Sequence, residues 1–177
     1  KKIKKMGIAD RLLSGKIRLS QFTGIPEYRQ LRTYIREVSK KNKTGEVNRV
    51  LSVTNSRGFI DQSEQFDRKV ASEDLSGYKI IRCGQFAYNP SRVNVGSIDY
   101  LRTFDVGVLS PIYVVFETID NILLPQYLNQ FIRSGLFSGQ MRKLLQGSVR
   151  QNLDYGSLGQ VKLFIPDTLE EQKCITT

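Results

Sequence analysis

The sequence predicts an α+β domain: a twisted, mostly antiparallel β core with a helical hairpin, flanked by helix ends at both termini. Three observations predict it. From Val47 to Phe116 the apolar residues fall in short alternating or continuous runs separated by turn residues, the pattern of strands. From Leu123 to Gln146 the period changes to that of a helix; helical spacing also marks residues 1–14, and capping-box spacing opens a helix after Thr168.

In chain order, Ile3, Met6 and Leu13 lie at helical spacing, with Gly15 placed to end that helix. Tyr28 to Lys43 fits a short amphipathic helix through Leu31, Tyr34, Ile35 and Val38, although Val38 can equally begin a strand. As a helix it would align Arg29, Arg32, Arg36 and Lys40 in a basic stripe. Val47 to Thr54 is a strand candidate, followed by the turn Asn55-Ser56-Arg57-Gly58 and a return through Phe59 and Ile60. Tyr78 to Tyr88 and Val106 to Phe116 are further strands. The second is apolar almost throughout, as a central strand is, apart from an irregularity at Pro111. Leu124, Leu128, Phe131, Ile132, Met141, Leu144 and Leu145 form two helical pieces broken near Ser134-Gly135. A polar loop, Gly147 to Leu153, leads to a strand at Val161 to Ile165, and Thr168 and Glu171 have capping-box spacing at the start of the last helix.

Between Gly84 and Ile98 a strand-like run ends in a polar knuckle. Pro90 removes a backbone donor and restricts Asn89 to extended conformations, while Gly96 lets the backbone turn before Ser97 and Ile98 resume. Ser91, Arg92 and Asn94 are left as exposed hydrogen-bonding groups. Arg can fork onto guanine or a phosphate and Asn can pair with adenine, so the tip has the chemistry of a nucleic-acid reading loop. An ordinary hairpin tip has the same composition.

At 177 residues with 40% hydrophobic content, the chain can bury the core of one domain. Its formal charge of +10 favours a polyanionic partner. Residues 1–50 hold 14 Lys and Arg against 4 Asp and Glu, so the whole net charge lies there. In the remainder, Leu75 to Ile98 and Asn121 to Leu153 contain basic residues and no acidic one, which makes locally positive surfaces. The absence of histidine excludes Ser-His and Cys-His nucleophilic pairs and most zinc sites. Cys83 and Cys174 lack metal spacing and form no disulfide framework, which fits a reducing cytoplasm. No apolar run approaches the roughly 18 residues of a membrane span, and the basic N-terminus lacks a signal peptide's apolar stretch. A soluble protein with no membrane partner is expected. The chain starts without Met and breaks off in helical segments, as an excised piece would.

Catalytic patterns are missing. An adenine methyltransferase would carry Asn or Asp followed by Pro-Pro and an aromatic, and Asn89-Pro90-Ser91-Arg92 fails at both later positions. There is no convincing cofactor loop, P-loop or nuclease-like carboxylate set. Asp61, Glu64, Glu73 and Asp74 read as turn and surface residues, and Glu170 and Glu171 as partners of a helix dipole. The residues describe a non-catalytic binding module for nucleic acid, with no cofactor and no metal.

Five segments, in this order, resemble a target recognition domain of the specificity subunit of type I restriction-modification enzymes. They are Leu12-Leu-Ser-Gly-Lys-Ile-Arg-Leu19 after a basic helix, Val50-Leu-Ser-Val53 before a turn, and Tyr78 to Tyr88-Asn-Pro-Ser-Arg92 with Gly96-Ser97. The fourth is Gly107-Val-Leu-Ser-Pro111 with Tyr113 and Phe116. The fifth is Gly147-Ser-Val-Arg-Gln-Asn-Leu153 with Ile165-Pro166 and Leu169-Glu-Glu-Gln172. The resemblance implies a domain over residues 16–168 between truncated conserved helices, one ending within residues 1–15 and the other starting within residues 169–177. It also implies double-stranded DNA as ligand, with one half of a split site read by each domain. A second recognition domain would lie in the same chain or in a dimer mate. Methyltransferase (modification) subunits and a restriction subunit would be partners. A stand-alone DNA methyltransferase and a protein-interaction scaffold are the alternatives.

Recognition residues in such domains vary with the target, so physical criteria select the candidates. Three loops qualify: Asn55 to Arg57, Ser91 to Asn94, and Ser148 to Asn152 with Tyr155 nearby. Arg92, Asn94, Arg150, Gln151 and Asn152 can form directional or bidentate bonds to base edges, whereas Lys79 and Lys143 suit phosphates.

Overall fold

Phe86, Ala87 and Tyr88 are all fully buried although they alternate between the two faces of one strand, so that strand is covered on both sides. The computed structural model describes residues 7–24, 27–64, 74–146 and 152–176. Along the chain lie α1 (Ile8–Leu13), β1 (Glu27–Gln30), β2 (Ile35–Glu37), β3 (Leu51–Thr54), β4 (Gly58–Asp61), β5 (Lys79–Arg82), β6 (Phe86–Tyr88), β7 (Ile98–Tyr100), β8 (Val106–Leu109) and β9 (Val114–Thr118). They are followed by α2 (Pro125–Ile132), α3 (Gly135–Gln146), α4 (Tyr155–Gly159), β10 (Lys162–Ile165) and α5 (Leu169–Thr176). Strands β2, β9, β6 and β7, in that spatial order, make the central sheet, and β1–β10, β3–β4 and β5–β8 are two-stranded ribbons. Every pairing between these strands is antiparallel.

The two faces of β6 and β9 receive different partners. Phe86 and Phe116 are register partners whose rings stack at 5.1 Å and 14°, and with Tyr88 they face α2 and α3 through Tyr127, Leu128, Phe131, Phe137 and Met141. Ala87 and Val115 point the other way, into a second core with Leu51, Val53, Phe59, Ile81 and Leu109 of the ribbons. The large-small-large sequence at β6 thus suits a helical layer on one side and closely approaching strands on the other. Truncating Phe116 to Ala would cost about 3 to 5 kcal/mol.

The α+β class, the β3–β4 turn, the two helical pieces split at Ser134-Gly135, the strand before Pro166 and the last helix appear as expected. The expected helix over Tyr28 to Lys43 does not form, and its Arg stripe with it. Leu31 and Ile35, four residues apart, are both buried because a 3-10 turn at Leu31–Thr33 joins β1 to β2. Arg29 pairs with Glu27, and Arg36 Nε donates to Glu117 at 2.5 Å. Two expected single strands are each divided. Gly84, at φ +93°, turns the chain between β5 and β6, with Gln85 N–H on the Arg82 carbonyl at 3.0 Å. The Pro111 turn, closed by Tyr113 N–H on Ser110 O at 3.1 Å, sends β8 and β9 into different sheets. Helix α4 was not foreseen in the sequence; its five residues are too few for a periodic pattern.

The segment after α1 is tied to α5 by charge. Gly15, at φ +62°, ends the turn after α1, and Lys16 N–H reaches back to Arg11 O at 3.0 Å. Thr168 Oγ1 caps α5 by accepting from Glu171 N–H at 3.2 Å. Glu170 and Glu171 lie in the first turn of α5, as dipole partners do, and the Glu171 carboxylate, 1% exposed, also takes a two-pronged bond from Arg18, at 2.9 and 2.5 Å. Gln172, equally buried, bonds Leu124 N–H and Ile122 O and so pins α5 to the start of α2. Residues 1–6, including Ile3 and Met6, lie outside the described residues. Among the described residues no helix is long and apolar enough to cross a membrane.

Glu171→Ala should lower the unfolding free energy by about 2 kcal/mol in chemical denaturation, since Arg18 loses both acceptors. Burial alone would push the Glu117 carboxyl up, but hydrogen bonds from Gln85 and Arg36 outweigh it and hold it below its ordinary value. The folded state therefore favours charged Glu117, a contribution present above the ordinary carboxylate range and lost as pH falls through the lowered value. Below about pH 5 the thermal midpoint of the wild type should fall more steeply than that of Glu117→Gln, whose side chain does not titrate.

Candidate nucleic-acid interface

The knuckle after β6 is held by its own polar groups. Asn89 is buried; its N–H donates to Ser97 O at 3.0 Å, its Oδ1 accepts from Ser91 N–H at 3.1 Å, and its carbonyl accepts from Arg92 N–H at 3.0 Å. A 3-10 turn at Val93–Val95 drives Val93 into the core, and Gly96, at φ +93°, closes it. Ser97 Oγ then donates to Val53 O at 2.8 Å, tying the knuckle to β3. Ser91, Arg92 and Asn94 remain exposed, as expected of a presenting loop. Asn89-Pro90 is fully employed in shaping it.

The hairpin between β3 and β4 leans on the knuckle. Thr54 Oγ1 accepts from Arg57 N–H at 3.2 Å and donates to Gly58 O at 3.1 Å, and Gly58 takes φ +66°. Asn55, Ser56 and Arg57 are exposed at the tip, and the Asn55 side chain lies 3.5 Å from where a β-carbon on Gly96 would sit. Asp99 fixes this arrangement from below. Its Oδ2 accepts from Phe59 N–H at 3.3 Å and its Oδ1 from Arg133 at 3.1 Å, so one buried carboxylate joins the hairpin, β7 and the end of α2. A β-carbon at Gly58 would lie 1.9 Å from Asp99 Oδ2.

Two further segments meet the same knuckle. Leu153 N–H donates to Pro90 O at 3.1 Å, bringing exposed Asn152 beside it; Ser148, Arg150 and Gln151 lie outside the described residues. Asp154 caps α4 through Ser157 N–H at 2.6 Å, and half-buried Tyr155 packs on the main core, where burial pushes its phenol up. On the other side a groove runs between the knuckle and α3, lined by Asn94, Gly96, Ile98, Ser138, Met141 and Arg142. Arg142, not selected from the sequence, thus stands beside Asn94. The available signal was its place next to the core-facing Met141 in an acid-free segment. Exposed Lys143 lines a different depression on α3, with Leu136, Gly139 and Gln146. Lys79 is half-buried, and its ammonium donates to Tyr113 O at 2.6 Å, bracing the Pro111 turn.

The structure therefore gathers Asn55, Arg57, Ser91, Arg92, Asn94 and Asn152 around one knuckle and adds Arg142. Among the described residues no carboxylate lies within 4 Å of Arg57, Arg92 or Arg142. Such forks and amides can bond base edges and phosphates. Carboxylates elsewhere serve local structure: Asp61 accepts from Ser63 and pairs with Arg49, and Asp74 accepts from Ser76. Among the described residues no group of His, Cys, Asp and Glu could hold a metal ion.

No protein-family model and no curated protein matches the sequence. Solved structures do match in shape. A chain from the type I R-M system, in a structure addressing its complex assembly and conformational transition, superposes with a TM-score of 0.64 over 87% of this chain at 12% identity. The HsdS subunit from Thermoanaerobacter tengcongensis gives 0.60 over 88% at 15% identity. The S subunit of a type I restriction-modification system from M. genitalium gives 0.55 over 85% at 10% identity. The chain spans 41% of the first two of those chains and 37% of the third. At the level of the fold, the resemblance read from the residues is upheld: this is the α+β fold found in type I specificity subunits.

Gly58→Ala should be strongly destabilising, because about 1 to 2 kcal/mol of left-handed strain adds to a collision with a fixed carboxylate. Asp99→Ala should cost about 1 to 3 kcal/mol. Urea denaturation of the double variant should show a loss smaller than the sum of the two, since the colliding atom is gone.

Proposed function

We propose that this chain is a target recognition domain that binds double-stranded DNA sequence-specifically, without catalysis of its own. It reads one half of a split site and directs partner methyltransferase and restriction subunits. The observation that carries this reading is the convergence of exposed Arg57, Arg92 and Arg142, with no carboxylate within 4 Å among the described residues, and of Asn55, Asn94 and Asn152 on one braced knuckle. The fold shared with type I specificity subunits supports the same reading. Arg92 and Asn94 are assigned to base edges, with Asn55, Asn152 and Arg142 beside them. Ser148, Arg150 and Gln151 belong to the same candidate surface by sequence. Lys143 is kept as a phosphate contact, while Lys79, Ser91 and Tyr155 support the loops that carry the readers.

The proximity of α1 to α5 supports residues 1–15 and 169–177 as parts of scaffold helices on which a second recognition domain and the modification subunits assemble, and Arg18 on Glu171 ties the start of the recognition domain to the second of them. Residues 16–168 are then the recognition domain, working in the cytoplasm.

Mapping methylated adenines in the source genome should reveal a split motif that depends on this locus. In fluorescence anisotropy with the assembled enzyme, Arg92→Ala and Asn94→Ala should each reduce discrimination between target and scrambled duplexes by about 1 to 3 kcal/mol. Equal losses on both duplexes would reassign them to phosphates, and methyl transfer by this chain alone would overturn the non-catalytic role.

A further inference from the structure

A basic groove takes no part in the contacts assigned above. It lies between the 39–47 loop and β5, lined by Lys40, Lys41, Lys43, Glu46, Ile80 and Arg82. Four cations stand against one carboxylate, the three lysines are exposed, and none of the four cations has a carboxylate within 4 Å among the described residues. The backbone carrying the three lysines is fixed by a buried amide. Asn42, 0% exposed, donates its N–H to Tyr78 O at 2.9 Å. Its side chain donates to Val47 O at 2.9 Å and accepts from Val47 N–H at 3.2 Å, while its carbonyl accepts from Gly45 N–H at 2.9 Å. Lys40 O accepts from Ile80 N–H at 2.8 Å, and Lys41 forms a bridge with Lys79. The charges are thus mounted on a closed, anchored loop.

Register places this loop at the knuckle's end of the molecule. Lys79 pairs with Leu109, the chain turns through residues 110–113, and Val114 pairs with Tyr88, the last strand residue before the knuckle. The Lys79 ammonium on Tyr113 O ties the two ends together.

We propose that this groove seats the DNA phosphate backbone flanking the base pairs read at the knuckle, an inference that rests on the DNA-reading function proposed above. Lysine ammonium groups are compact point charges without the planar fork that distinguishes bases, so they fix position and affinity and leave sequence discrimination to the knuckle. Each phosphate neutralised releases condensed counterions and steepens the salt dependence of binding.

The test uses the complete protein with its assembly partners, titrated on target and scrambled duplexes between roughly 50 and 200 mM salt. The combined variant Lys40→Ala, Lys41→Ala, Lys43→Ala should lose affinity equally on both duplexes. Its slope of log K against log salt should become shallower by about 2 to 3, with the ratio between duplexes unchanged. Replacing the same three by Arg should restore the slope, separating charge from folding. An unchanged slope in the Ala variant, beside a wild type that discriminates, would overturn the groove and leave the reading function intact. Normal DNA binding with loss of a partner subunit from the purified assembly would also overturn it, assigning the groove to an acidic protein face. A wild-type assembly that fails to discriminate would overturn the reading function and the groove with it.

Discussion

Everything in this molecule hangs on the pairing of β6 with β9, two strands buried on both faces. Phe86 stacked on Phe116 fills the helical side, and Ala87 opposite Val115 leaves room for the ribbons on the other. Because side chains alternate, a one-residue slip would push the aromatic rings toward the ribbons and the small residues toward the helices. The register is consequently strongly specified. With it are set the positions of the strand ends from which the knuckle and the Pro111 turn project.

On that frame, buried polar groups convert loops into fixed mounts. Asn89, Asn42 and Asp99 are each buried, and the side chain of each bonds neighbouring backbone or, for Asp99, also Arg133. A buried polar group that is hydrogen-bonded specifies geometry, because an alternative placement leaves it unpaired. The exposed residues beside these anchors are then free of structural duty. A pre-organised loop backbone loses less conformational freedom on binding, an advantage for a surface that must distinguish one base from another.

Charge is divided in the same way. Arg18, Arg36, Arg49 and Arg133 are paired with carboxylates and hold elements together, while Arg57, Arg92 and Arg142 have none nearby among the described residues. A carboxylate beside a reading arginine would compete with the phosphates and base acceptors it is proposed to meet. Tyr88 shows the opposite case: its hydroxyl has no partner among the described residues, and burial holds the phenol well above its ordinary range. It is a large core residue, with ring packing against Phe116 as its main contribution.

Residue order alone determined the class of the fold, the turn at Asn55 to Gly58, the break at Ser134-Gly135, the exposed knuckle and the absence of histidine chemistry. These follow from local rules: side-chain period, the φ of proline, the tolerance of glycine for positive φ, and the chemistry of the residues themselves. Local rules failed where long-range pairing prevailed. Leu31 and Ile35 have the spacing of a helix face, but partners at Val161 and Thr118 hold their segments extended around a 3-10 turn. Gly84 and Pro111 divided runs that looked continuous, because the two halves of each found places in different sheets. Which candidates stand together was equally beyond local reading. Arg142 beside Asn94, Asn55 against Gly96, Lys79 spent on Tyr113, and Glu171 buried under Arg18 all join residues far apart in the chain. Residue types thus set the chemistry available to this protein, while the docking of its helices and ribbons decided which of those groups are neighbours, because contacts across the core follow packing and not sequence distance.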